Sequence, residues 1–116
     1  QGFEARLTGA NAEFMEMVVL LFFGEHLFSV ENGLLTFHLE PKLSHEFFDE
    51  KKQASFLLLG KTKVTYHNPH DLDLYQKGIR FVYQIEGKKY SCVQGDLAER
   101  IRDGKIQEID VEVLPE

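Results

Sequence analysis

Tryptophan is absent from the 116 residues, and cysteine occurs only once, as Cys92. A lone thiol excludes an internal disulfide and a cysteine-based zinc site. It favours a reducing, and so cytoplasmic, compartment. Positive charge is also short: 13 Lys and Arg against 19 Asp and Glu give a net charge of −6. No basic run exceeds two consecutive residues, which argues against nucleic acid as a partner, because phosphate backbones need a basic face. Long apolar runs are missing too. Met17 to Phe23 is the longest, far short of the roughly 20 residues that cross a bilayer, so no membrane partner is expected. There is no internal repeat, low-complexity stretch or linker, and no signal peptide is visible. The chain opens on Gln1 rather than Met, which suggests a processed or excised piece.

What remains is ordinary globular composition, 43% hydrophobic and 28% charged, enough for one domain with a real core. Ten Phe and four Tyr point to strands and an aromatic-rich interior. A helix is expected over residues 10–23. Thr8 or Asn11 would cap it, Glu13 and Glu16 suit its first turns, and Gly24 is a natural stop. Its second half, Met17 to Phe23, is apolar on every side. A surface helix carries one apolar stripe, so this one either lies at the centre of a small α+β domain or meets a partner.

From residue 26 the period changes to two. Leu35, Phe37 and Leu39 alternate with polar neighbours, as do Thr62, Val64 and Tyr66, then Ile79, Phe81, Tyr83 and Ile85, then Ile109, Val111 and Val113. Each run predicts a strand with one wet face. Ser55 to Leu59 is apolar throughout and reads as a strand buried on both faces. Asn32-Gly33 and Glu86-Gly87 read as hairpin tips. Residues 96–102 fit a short helical turn or a loop. Seven or eight strands at this spacing predict a mainly β protein: one N-terminal α-helix, residues 1–24, followed by an antiparallel, jelly-roll-like β-sandwich, residues 25–116.

Candidate chemistry is sparse. The densest polar cluster is His67-Asn68-Pro69-His70-Asp71-Leu72-Asp73. Its histidines and aspartates are metal-ligand types. Asn-Pro marks a turn, however, and nothing else fixes a convergent geometry, so a solvated loop is expected and no metal is assigned. His38 and His45 lie near Glu40 and Glu46 without a specific catalytic spacing. Glu108, Asp110 and Glu112 line one face of the last strand, normally a solvated face. Cys92 reads as a small buried residue rather than a nucleophile. No catalytic residue and no cofactor is assigned. Leu7-Thr8-Gly9-Ala10 precedes the helix, where free N–H groups and partial positive charge suit an anion. Thr8 would add a hydroxyl, Gly9 would let a phosphate approach, and Arg6 would add charge. A cap with a tight turn accounts for the same residues.

The segment Gly2-Phe3-Glu4-Ala5-Arg6-Leu7-Thr8-Gly9-Ala10-Asn11-Ala12-Glu13-Phe14 resembles the closing helix of an (α/α)6 barrel. It is similar to inverting glycoside phosphorylases of the cellobiose and chitobiose phosphorylase type and to related hydrolases. Phe28 to Glu40 with Pro41 and Phe47-Phe48, then Ser55 to Pro69, then Arg102 to Val113 resemble parts of the β-sandwich that follows that helix. The resemblance implies a C-terminal structural domain, not catalytic alone, whose partner is a preceding barrel. It also implies that Thr8 and Gly9 hold inorganic phosphate in the intact parent, which would act on an oligosaccharide. A bare helix Asn11 to Phe23 would drive dimerisation. The alternative is a stand-alone carbohydrate- or protein-binding sandwich, with Tyr75 as its stacking platform.

Overall fold

The computed structural model describes residues 20–116. Arg6, Thr8, Gly9, Asn11 and the first part of the expected 10–23 helix therefore lie outside the described residues. Residues 20–23 are helical (α1). Gly24 ends the helix, as expected, at φ +84°, and its N–H donates to the Leu20 carbonyl at 3.0 Å. That is a left-handed cap, which a side chain disfavours. A second constraint is steric: a Cβ on Gly24 would stand 2.8 Å from the Glu40 carbonyl oxygen.

Eight strands follow among the described residues. They are β1 (Phe28–Glu31), β2 (Leu34–Phe37), β3 (Gln53–Leu58), β4 (Thr62–His67), β5 (Ile79–Ile85), β6 (Lys88–Tyr90), β7 (Val93–Gln94) and β8 (Glu108–Pro115). A short helix, α2 (Asp96–Arg102), precedes β8. Strand accounts for 41% and helix for 14% of the described residues, so the protein is mainly β. One sheet has the order β1-β2-β7 and the other β3-β4-β8-β5-β6. Both expected hairpin tips are present. Asn32 with Gly33, and Glu86 with Gly87, sit at positive φ, which matches the twist of the flanking strands. Leu59 and Gly60 turn the chain in the same way between β3 and β4.

Among the described residues all strand pairs but one are antiparallel. The exception is β4 with β8, which run parallel, Val64 facing Ile109 and Tyr66 facing Val111. Parallel neighbours need a long crossover, and β5, β6, β7 and α2 supply it. β8 is thereby the central strand: Ile109, Val111 and Val113 are fully buried, while Glu108, Asp110 and Glu112 face the other way. The inward rows of both sheets share one core, in which Phe37 of the small sheet meets Tyr83 of the large one at 6.0 Å between ring centroids. α2 covers the small sheet with Ala98 and Ile101.

Two expectations are corrected. Ser55 to Leu59 is not buried on both faces. β3 is an edge strand that alternates, with Phe56 and Leu58 inside and Leu57 51% exposed. A continuous apolar run carries no face information, and only the pairing supplies it. Cys92 is exposed rather than buried. It sits in the bend between β6 and β7, not in a strand, so alternation does not turn it inward.

Candidate functional site

The most constructed feature is the socket that receives the end of α1. Phe22 and Phe23 are buried and both rings touch Phe56 of β3, at centroid distances of 4.8 and 5.3 Å. The last four carbonyls of a helix have no partner within it. Here each is met. The Leu20 oxygen accepts from Gly24 N–H, Leu21 from Lys42 N–H at 2.7 Å, and Phe23 from Glu40 N–H at 2.9 Å. The Phe22 oxygen accepts from the Tyr66 hydroxyl. Burial, helped by Tyr83, drives the Tyr66 hydroxyl well above its ordinary pKa, so it stays protonated and remains a donor. Tyr83, itself raised by burial, accepts from Leu39 N–H at 3.3 Å and steadies the same strap, residues 38–42. Leu20 stays 42% exposed.

A second feature is the outward face of the large sheet. His67 Nε2 lies 2.9 Å from Asp110 Oδ1 across the parallel pair, Ser55 and Thr65 hydroxyls are 2.9 Å apart, and Lys89 reaches Glu112 at 3.3 Å. At one end a groove of about 490 Å³ is lined by Gln84, Glu86, Lys105, Gln107, Glu108 and Asp110. Two of its carboxylates are engaged, Asp110 by His67 and Glu86 by Arg100 at 2.7 Å. These side chains are tied up in hydrogen bonds and ion pairs on a wet surface.

The third feature is the 67–73 cluster. The structure disperses it. His67 turns onto the sheet face. Asp71 pairs with Lys52 at 2.8 Å. Asp73 crosses to His45, where its Oδ1 accepts from the backbone N–H and lies 2.8 Å from ring Nδ1. His70 is exposed. Among the described residues no three His, Cys, Asp or Glu side chains converge to hold a metal ion. Past His67, which ends β4, residues 68–73 form a loop, as expected, but it is not merely solvated. Asn68 is fully buried and its side-chain amide stitches the turn, donating to Leu72 O at 2.8 Å and accepting from Leu72 N–H at 3.0 Å.

Of the other candidates, His38 follows β2 with its N–H on the Leu27 carbonyl, and Glu40 serves through its backbone. Among the described residues His38, Glu40 and Glu46 make no hydrogen bond or ion pair with His45, although Glu46 lies near enough to favour its charged form. Tyr75 is 57% exposed on its loop. Sequence reasoning missed the His45–Asp73 and His67–Asp110 pairs, because each joins residues far apart in the chain. It also missed Tyr66 as a helix cap, whose only signal was its place on the inward row of β4. No helix among the described residues is long and apolar enough to cross a membrane. Compared with protein-family models, with curated proteins and with solved structures, the chain gives no match.

Proposed function

We propose that this chain is the C-terminal structural domain of a carbohydrate-active enzyme, a glycoside phosphorylase or hydrolase, and is not catalytic by itself. The observation that supports this reading is the socket: all four terminal carbonyls of α1 are bonded by the cap, the strap and Tyr66, and its two phenylalanines lie in the core. A helix held this firmly transmits position. It would fix the sandwich against a preceding helical barrel, and Leu20, still exposed, would meet that barrel. In the intact parent Thr8 and Gly9 would hold inorganic phosphate next to the oligosaccharide. A single unbridged cysteine fits a cytoplasmic setting.

Two measurements test the proposal. The coding sequence upstream of Gln1 should specify a long series of helical hairpins; an unrelated upstream region would overturn it. The 116-residue chain should turn over no disaccharide, with or without phosphate, and measurable turnover would equally defeat the reading.

The exposed ring of Tyr75 favours a second reading, a stand-alone module binding a carbohydrate by stacking. Calorimetric titration with an oligosaccharide panel separates the two. Binding that Tyr75→Ala abolishes would support the module; heats unaffected by that change would remove it.

A further inference from the structure

Asp73 joins two segments that are distant in sequence. Its Oδ1 accepts from the backbone N–H of His45 at 2.8 Å and meets His45 Nδ1 at 2.8 Å. Beside it, Leu74 N–H donates to the Leu43 carbonyl at 2.7 Å. Thus the loop after β4 is fastened to Leu43, which follows the strap, and to the 3-10 turn His45–Phe47. Two residues past Asp73, Tyr75 is 57% exposed, with its hydroxyl turned back to Asp73. The turn between them is closed by Gln76 N–H on the Asp73 carbonyl at 3.1 Å.

We propose that His45 and Asp73 form a pH-dependent clip that sets how firmly the loop carrying Tyr75 is held. Among the described residues, the charged groups that act on His45 are Asp73 and Asp71 from the facing loop and Glu46 from its own turn. Asp71 is already shared with Lys52, so Asp73 is the main partner. Its hydrogen bond raises His45 above the ordinary 6.5. The two His45 donors, with a smaller contribution from the Tyr75 hydroxyl, hold Asp73 below 3.8. The sign follows by linkage. A raised histidine contributes fully below 6.5 and loses its contribution as pH rises through its folded value. A depressed carboxylate contributes above 3.8 and loses its contribution as pH falls. The clip is therefore tightest between those two values and slackens above the raised pKa of His45. His45 is half exposed and Asp73 partly so, which lets solvent screen the pair, so the change is a modest one, about two- to fivefold in loop opening.

The test is a pH titration of the isotope-labelled chain by NMR. The His45 ring should titrate with a midpoint above 6.5, and the amide signals of residues 73–76 should follow that midpoint. His45→Gln keeps a donor but cannot titrate, and Asp73→Asn removes the acceptor charge. Each should erase the profile at residues 73–76 while leaving the strand signals in place. A His45 midpoint at or below 6.5, loop signals indifferent to it, or a profile that survives His45→Gln would overturn the proposal.

Discussion

Gly24 carries two constraints on one atom. Its φ of +84° is open to glycine at little cost, and the Glu40 carbonyl oxygen lies 2.8 Å from where a Cβ would be. That neighbour is backbone, and its own residue bonds the helix end, so it yields little. Gly24→Ala is expected to destabilise the chain by about 2–4 kcal/mol, read as a lower urea midpoint. Gly33, with open space around it, should cost less for the same change. Tyr66 makes the opposite kind of contribution, a single hydroxyl in a well-filled site. Tyr66→Phe keeps the ring and loses the bond to the Phe22 carbonyl, so it should cost about 0.5–1.5 kcal/mol. A change within experimental error would mean that the hydroxyl does not cap the helix.

Among the elements, β3 shows how position in a sheet decides exposure. Its sequence from Ala54 to Leu59 is nearly uniform in hydrophobicity, yet Leu58 is 1% exposed and Leu57 51%. Leu58→Ala is expected to cost about 2–5 kcal/mol, whereas Leu57→Lys should stay within about 0.5 kcal/mol. Equal penalties at the two sites would contradict the edge assignment. The opposite edge of the sheet, β6, bears Lys88 and Lys89, the usual protection against unwanted pairing. β5, β8 and the hairpins at Asn32-Gly33 and Glu86-Gly87 were legible because turn residues and alternation are local properties. The parallel neighbour of β8 was not, since nothing in a strand's own residues names its partner.

At the scale of the molecule, α1, both sheets and α2 draw on the same interior. Phe56 is its hinge point, touching Phe22 and Phe23 at once. Phe56→Ala should cost about 3–5 kcal/mol and release α1 together with the sheet. With no Trp, tyrosine fluorescence reports the core, because Tyr66 and Tyr83 lie inside it. Its thermal transition should coincide with that of far-UV circular dichroism, as expected when one core unfolds as a unit. Separate transitions would show that the helix and the sandwich are not coupled, which would also weaken the proposal that α1 fixes the sandwich against a preceding barrel.

Periodicity, turn residues and composition, read from the sequence alone, determined a mainly β chain, the position of its hairpins, the stop of its first helix at Gly24 and the lack of a bilayer-spanning run. These depend on neighbours along the chain, where backbone preference and side-chain alternation act. The tertiary structure alone decided which strands became neighbours, that β3 lies at an edge, that Cys92 faces water, and that Asp73 and Asp110 each find a histidine. It also turned Tyr66 from one more core aromatic into the cap of α1. Such outcomes depend on contacts between residues tens of positions apart, and those exist only once the core has closed.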